Sequence, residues 1–179
     1  MMRLEDIDHS LYVQDDVNGE HIYYLDPELT KPYTGVIYNK WRGKIESEAE
    51  FIDGLKNGLE HVYNEEEELI LISECRGNIE FGISKEFEKG YLTSVSINYN
   101  GRLVKYLEIG HNYEIINVQK FYYDVTKGDK IPEGDKIITK MSYERLPKYI
   151  RILLELSDKE LVEYEFKKDN PYLRPPYNI

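Results

Sequence analysis

The sequence has 179 residues, of which 34 are acidic and 23 basic, giving a formal net charge of −11, and it contains one cysteine, Cys75. A single cysteine cannot form an internal disulfide, so nothing indicates an oxidising compartment. No stretch approaches the ~20 apolar residues of a membrane-spanning helix, and the acidic N-terminus lacks the apolar run of a signal peptide. We therefore expect a soluble, cytoplasmic protein that is long enough to bury a hydrophobic core.

The negative charge is confined to the N-terminal half of the chain. Residues 1–90 contain 21 acidic and 9 basic residues, a balance of −12, whereas residues 91–179 contain 13 and 14, a balance of +1. The acidic half would repel nucleic acid and anionic lipid, which both require a basic surface, and would attract a basic protein surface. Solubility alone is the alternative explanation. The charge distribution thus disfavours nucleic-acid and membrane binding and favours a protein partner.

Tyrosine dominates the aromatic residues, with 17 Tyr against 5 Phe and one Trp. A tyrosine ring packs well in a half-buried strand while its hydroxyl group stays hydrated. Tyrosine is also enriched at protein interfaces. We expect most of these residues to be structural and a few to be contact residues.

Residues 1–34 predict an N-terminal cap. The segments 11–13 and 21–25 are strand-like and flank Asn18-Gly19, a pattern typical of a hairpin. The segment 26–32, which contains two prolines, is predicted to be a loop.

Residues 35–105 contain an internal repeat of about 23 residues. One glycine series stands at positions 35, 58 and 82, and a second at 54, 77 and 101, with spacings of 23 and 24 in both. A third turn position, at 43, 66 and 90, holds Gly, Glu and Gly in the same register. Three series in one register indicate a repeated structural unit.

The repeat predicts hairpins, because the segments between glycines are short and rich in Tyr, Ile, Val and Phe. The dipeptides Asn57-Gly58 and Asn100-Gly101 favour tight turns. Three two-stranded units are predicted, 37–41 with 44–52, 58–64 with 69–75, and 83–88 with 91–99. An isolated hairpin is marginally stable, so the units must pair edge to edge. The predicted fold is mostly β, an antiparallel β-meander of tandem hairpin repeats with additional C-terminal strands.

The segments 31–35 (KPYTG), 43–54 (GKIESEAEFIDG) and 55–58 (LKNG) resemble the MORN-repeat variant, a short repeat of bacterial antitoxins and of immunity proteins to polymorphic toxins. The resemblance covers about residues 19–105 and is best in the first repeat. In the second repeat Glu66 replaces a turn glycine, and in the third the segment 94–98 lacks the charged pattern. The resemblance implies a hairpin scaffold and a toxin-neutralising function, and it does not extend to residues 106–179.

Residues 106–168 are predicted to extend the sheet, with a strand in 113–125 and a loop at 127–135. Apolar and polar residues alternate in 149–156 and again in 162–166, which predicts a closing hairpin. The alternative is a helix over about 142–156 with Pro147 in its first turns. The tail, 169–179, contains three prolines and is predicted to be poorly ordered.

No pattern of catalytic or metal-binding residues is evident in the sequence. The glycines lack the spacing of a phosphate-binding loop, and the four histidines share no ligand spacing with one another or with Cys75. Cys75 is predicted to be a small buried residue rather than a nucleophile. Carboxylates such as Glu46 and Glu48 share one strand face, which is typical of solvated decoration. We predict a non-enzymatic protein without a cofactor or a metal.

The run Glu65–Glu68 is predicted to form a turn, because four adjacent carboxylates repel one another in a strand. It is either a solvated loop or a contact with a cationic site, and screening beyond ~8 Å would confine its effect to that contact. Aromatic anchors on the sheet would complete an interface. The predicted contact residues are Tyr38, Trp41, Glu46, Glu48, Tyr63, Glu65, Glu66, Glu67, Glu68 and Phe87.

These observations favour an immunity or antitoxin-type protein that binds a toxin domain with a basic surface stoichiometrically. The alternative is a non-catalytic repeat scaffold or adaptor module. A third class, a small hydrolase or nuclease, is supported by no motif.

Overall fold

The computed structural model describes residues 1–16, 19–132 and 140–175, and most of this part of the chain is β-structure. The strands are β1 (Met2–Glu5), β2 (Tyr12–Asp15), β3 (His21–Tyr24), β4 (Gly35–Trp41), β5 (Lys44–Ile52), β6 (Leu55–Tyr63), β7 (Leu69–Arg76), β8 (Ile79–Glu88), β9 (Tyr91–Tyr99), β10 (Arg102–Ile109), β11 (Ile115–Lys120), β12 (Tyr122–Tyr123) and β13 (Met141–Ser142). Two helices follow, α1 (Lys148–Leu154) and α2 (Asp158–Val162). Within the described ranges no helix is long and apolar enough to cross a bilayer.

The predicted antiparallel meander is confirmed. Strands β4 to β11 pair in chain order, and β1 adds to β4 in parallel to give the sheet order β1-β4-β5-β6-β7-β8-β9-β10-β11. Five of its turns have two central residues, both with positive φ, as the right-handed twist of paired strands requires. They are Arg42-Gly43, Asp53-Gly54, Gly77-Asn78, Lys89-Gly90 and Asn100-Gly101.

The predicted turn at Asn57-Gly58 is wrong, because both residues lie inside β6. Asn57 is fully buried, and its side-chain oxygen accepts a hydrogen bond of 2.8 Å from the backbone nitrogen of Gly77. Its side-chain nitrogen donates to the carbonyl of Ile52 at 3.2 Å. Asn57 therefore braces the neighbouring turns from within the sheet instead of forming a turn itself.

Gly58 and Gly82 each lie in a β-bulge, and the same bulge occurs in two repeats. Ala49 pairs with Glu60 and Phe51 with Lys56, so Glu50 alone faces residues 57–59. The same pattern recurs 24 residues on, where Glu74 alone faces residues 81–83. In each bulge the glutamate carboxylate lies where a Cβ of the glycine would stand, and the glycine φ is +130° or +117°. A side chain at either glycine would displace the carboxylate.

The N-terminal hairpin covers one end of the sheet, as the sequence predicted. Strands β2 and β3 pair antiparallel, although Asn18 of their turn lies outside the described residues. The Tyr23 backbone nitrogen donates to the carbonyl of Gly54, and its ring meets Phe51 edge-on with centroids 5.1 Å apart. A small core forms beneath the hairpin from Tyr33, Ile37, Ala49 and Phe51, with Leu4, Leu11 and Tyr23 at its margin.

The predicted closing hairpin in residues 149–166 is wrong, because this region forms α1 and α2. The buried residues of α1 are Tyr149, Ile150, Leu153 and Leu154, which is helical spacing, whereas Ile152 is largely exposed. Pro147 is the N-cap of α1, a position that tolerates proline because no N–H is needed there. Ser157 and Glu160 form a capping box for α2. The helical alternative with Pro147 near the start was the better interpretation.

The larger core lies between the two helices and strands β8 to β10. Its buried members are Phe81, Ile83, Leu92, Val95, Ile97, Val104, Leu107, Ile109, Leu146, Tyr149, Ile150, Leu153, Leu154, Leu161 and Leu173. Two buried lysines of the sheet hold α2 at its ends. Lys105 Nζ lies 2.6 Å from Asp158 Oδ1, and Lys85 Nζ donates to the carbonyls of Val162 and Tyr164, both at 2.7 Å. The Asp158 carboxylate at the start of α2 and the Lys85 ammonium at its end both match the helix dipole.

The tail prediction is also wrong for residues 169–175, which are packed against the core. Leu173 and Asn170 are buried, and the Tyr172 ring stacks on Tyr149 with centroids 4.7 Å apart. Residues 176–179 lie outside the described part of the chain. Proline breaks regular structure here, but it does not prevent buried contacts.

Replacing Gly82 by alanine tests the bulge. We expect Gly82→Ala to lower the free energy of unfolding by about 2–4 kcal/mol, since it adds a steric conflict with Glu74 to an unfavourable φ. Gly90→Ala is the matched control, because Gly90 also has a positive φ but has open space around it. We expect about 1–2 kcal/mol for the control. Urea denaturation of both variants measures the difference, and equal losses would contradict the proposed role of Gly82.

Candidate protein-binding surface

Two neighbouring turns form an open depression at one end of the sheet. The β4–β5 turn and the β6–β7 turn bring Trp41, Glu46, Tyr63 and Glu65 together around a volume of about 500 Å³. Trp41 is 57% exposed, and the Arg42 guanidinium lies over its ring at 5.6 Å. The meander creates this cluster, because β4 and β6 run in the same direction on either side of β5 and therefore end at the same edge of the sheet. Four predicted contact residues therefore share one surface, which we call the Trp41 depression.

Glu48 and Tyr38 lie beside this depression in a charged network. Glu48 accepts a hydrogen bond of 2.6 Å from Arg3 Nη2 and one of 3.2 Å from the Tyr63 hydroxyl. Arg3 also lies over the Tyr38 ring at 4.7 Å, and Lys40 lies over the same ring at 5.2 Å. Burial, and then the charge of Glu48, raise the pKa of Tyr63. These contacts fix Tyr63 before any partner arrives.

The acidic run forms the exposed turn between β6 and β7, as predicted. All four glutamates from 65 to 68 are exposed. The Asn64 side-chain oxygen accepts hydrogen bonds from the backbone nitrogens of Glu66 at 3.0 Å and Glu68 at 2.9 Å. Lys44 Nζ donates to the Glu65 carbonyl at 2.5 Å. The turn is thus ordered by Asn64, which also donates to the Glu68 carboxylate at 3.0 Å, and by Lys44, while the exposed carboxylates face solvent or a partner.

Phe87 is separated from the other predicted contact residues. It lies at the end of β8, partly buried, and packs against the larger core under the helices.

Arg42 and Lys44 also line the Trp41 depression, so its walls carry both charges. The available contact surface is therefore an aromatic depression with a purely acidic turn on one side.

A buried polar cluster was missed in the sequence. Glu74 is fully buried and accepts four hydrogen bonds, from the backbone nitrogen of Ile83, the hydroxyls of Tyr149 and Tyr164, and the Asn170 side-chain nitrogen, at 2.7–3.3 Å. Tyr149, Tyr164 and Asn170 come from the C-terminal region, 75 to 96 residues away in sequence. The one feature of the sequence that could have indicated this cluster is a repeated spacing, since a glycine follows Glu50 and Glu74 at the same distance, at Gly58 and Gly82. The cluster joins the repeats to the C-terminal region.

Burial governs the protonation of this cluster. It raises the pKa of Glu74, against the opposing effect of the four donors. Burial and the Glu74 charge raise the pKa of Tyr164 to about 12 and also raise that of Tyr149. Both tyrosines therefore stay protonated and remain donors at neutral pH. Because the cluster is enclosed by the chain itself, its evident role is to hold two parts of the protein together.

Cys75 is buried, as predicted, and burial raises the pKa of its thiol. Among the described residues, no three His, Cys, Asp or Glu side chains are grouped so as to hold a metal. The Trp41 depression offers aromatic surface, carboxylates and cations. These groups suit non-covalent recognition of a polypeptide surface.

Comparison with known proteins adds no assignment. No protein-family model matches the chain, and a search of curated proteins finds no match.

The raised pKa of Glu74 predicts a specific pH dependence. Between its unfolded pKa, near 4.5, and its higher folded pKa, the native state binds more protons, so this group contributes stability that is lost as pH rises. Glu74→Gln removes this contribution. We expect the unfolding free energy of the wild type, relative to Glu74→Gln, to increase as pH falls from neutral towards 4.5. Denaturant titrations across this range measure it, and a constant difference would show that Glu74 keeps an ordinary pKa.

The hydroxyl of Tyr149 should be important for stability. We expect Tyr149→Phe to cost about 1.5–3 kcal/mol, because a buried carboxylate loses a donor. Tyr143→Phe is the matched control, since the Tyr143 hydroxyl donates to Glu155 at 2.7 Å in an exposed pair, and its loss should be much smaller. Thermal or denaturant unfolding compares the two. A loss no larger for Tyr149→Phe than for the control would contradict a structural role for the Glu74 cluster.

Proposed function

We propose that this protein is an immunity or antitoxin-type protein that neutralises a toxin domain by stoichiometric binding. The proposal is supported most by Trp41, which is 57% exposed in a depression beside the exposed acidic turn. An exposed tryptophan at a depression is the type of residue that anchors protein interfaces. The resemblance of residues 19–105 to the MORN-repeat variant, found in such proteins, supports the same proposal.

The mechanism is occlusion of a basic surface. Many toxins that attack nucleic acid need a positive groove for phosphate, and an acidic protein surface occupies such a groove. The glutamates from 65 to 68 lie together on one turn and supply that charge. Trp41 and Tyr63 supply apolar contact area, and Tyr63 is held in place by Glu48. In this arrangement the aromatic residues determine affinity and the carboxylates mainly speed association.

Co-expression with the product of the gene immediately upstream tests the proposal. We expect rescue of growth and a co-purifying 1:1 complex. A host that stays viable without this protein, together with no complex, would overturn the proposal and favour a scaffold or adaptor.

Trp41→Ala should weaken this complex by ~2 kcal/mol or more, about 30-fold in Kd, because it removes the anchor. Tyr113→Ala is the matched control, since Tyr113 is equally exposed, at 57%, but lies beyond β10. The control should bind as the wild type does. Replacing Glu66 and Glu67 by glutamine should mainly lower the association rate and its dependence on salt. Calorimetry and stopped-flow kinetics measure these effects, and wild-type affinity of Trp41→Ala would contradict the anchor assignment.

A further inference from the structure

The first repeat contains an open copy of the buried site at Glu74. The pairs Ala49–Glu60 and Phe51–Lys56 in the first repeat correspond to Ser73–Ser84 and Cys75–Glu80 in the second, each shifted by 24 positions. Glu50 accepts a hydrogen bond of 3.2 Å from the Leu59 backbone nitrogen, as Glu74 does from Ile83 at 2.8 Å. The two carboxylates therefore occupy equivalent places on one face of the sheet.

The two places differ in what covers them. Glu74 lies under α1 and receives the Tyr149 hydroxyl at 2.7 Å on both oxygens. The ion pair that Glu50 makes among the described residues is with Arg174, whose Nη2 lies 3.7 Å away, beyond hydrogen-bond distance. The Glu50 side chain is 12% exposed. Glu50 thus retains acceptor capacity where Glu74 is saturated by the chain itself.

Glu50 opens into a second depression, which we call the Glu50 depression. It has a volume of about 560 Å³ and continues to the edge of the C-terminal region. Its lining combines the apolar surface of Val36, Leu59 and Phe166 with the carboxylates of Glu48 and Glu50 and with two cations, Arg3 and Lys168. Phe166 meets Tyr164 of the Glu74 cluster edge-on, with ring centroids 5.6 Å apart. The depression is therefore continuous with the interface that α1 and the tail already make with the sheet.

We propose that the Glu50 depression binds a tyrosine side chain of a partner protein, whose hydroxyl donates to Glu50 as that of Tyr149 does to Glu74. The apolar lining receives the ring and the carboxylate receives the hydroxyl. This subsite is distinct from the Trp41 depression, and it rests on the proposed function only in taking a protein as the occupant.

The charges at the site favour a phenol over a cation. Arg3 already pairs with Glu48 at 2.6 Å, and Arg174 already lies near Glu50. A third cation would lose its hydration without gaining an unpaired carboxylate, which is costly at a half-buried site. A neutral hydroxyl supplies the missing donor without that desolvation.

The test uses p-cresol, the side chain of tyrosine, with the complete protein. Backbone amide resonances of Gly58 and Leu59 report on the Glu50 depression, and those of Gly82 and Ile83 report on the closed equivalent site. We expect saturable shifts at the first pair and little change at the second. Toluene, which lacks the hydroxyl, should bind the same site about 10-fold more weakly, as expected for the loss of a hydrogen bond to a charged group.

Glu50→Gln tests whether the carboxylate binds the hydroxyl of p-cresol. Glu46→Gln, on the same strand, is the control. The glutamine retains an oxygen for the Leu59 N–H and turns a donor towards the ligand. We expect p-cresol to bind Glu50→Gln about 10-fold more weakly and Glu46→Gln unchanged. The proposal is overturned if p-cresol does not shift Gly58 and Leu59, if toluene binds equally well, or if Glu50→Gln binds as the wild type does.

This outcome is separable from that of the proposed function. A toxin complex that forms while p-cresol leaves Gly58 and Leu59 unshifted would remove the tyrosine subsite and keep the immunity function. Binding of p-cresol at Glu50, with neither rescue nor a complex, would keep the subsite and assign it to a partner other than a toxin.

Discussion

The buried carboxylate of Glu74 is the interaction on which the rest of the structure depends. It fills the bulge at Gly82, satisfies the Ile83 N–H, and receives donors from three residues of the C-terminal region. Removing one partner from such a network leaves a buried polar group unsatisfied, which costs more than the bond contributes. The repeats and the C-terminal region therefore behave as one unit, even though the repeats look modular in sequence.

The coverage of the sheet explains where a binding surface remains. The N-terminal hairpin closes over β4 to β6 at the end that contains Gly54, whereas α1 packs on β8 and β9. The opposite end of β4 to β6, with Trp41 and the acidic turn, is covered by neither. Among the described elements, this end of the sheet is therefore where exposed aromatic and acidic residues remain open to a partner.

The meander was predictable because hairpin turns depend on local chemistry. Paired residues with positive φ, one of them a glycine in every case, mark five turns that the spacing had located. Asn57-Gly58 has the same local signal but is buried inside β6, since distant bonds to the Gly77 turn outweigh a local preference. The apolar pattern of residues 149–156 fits a strand or a helix equally, and only the core beneath Tyr149 and Leu153 distinguishes them.

The candidate surface was predictable to the extent that hairpin register determines it. Trp41, Tyr63 and Glu65 meet because β4 and β6, which flank β5, both end at the same edge of the sheet. Phe87 is likewise an aromatic residue on a predicted strand, but helices more than fifty residues later in the sequence pack near it. Helices from a distant part of the chain that cover the sheet cannot be predicted from the local pattern of a strand.

The Glu–Gly bulge also has a consequence for how such a chain can change in length. Each copy carries its own carboxylate and its own glycine 8 positions later, so a unit of 24 residues brings its complete register with it. A tandem duplication of one unit would add two strands, widening the sheet by about 10 Å, without altering either end. The fold would tolerate the addition of a whole 24-residue unit. An insertion of a few residues between the glutamate and the glycine of one unit would instead separate the carboxylate from the bulge that it fills.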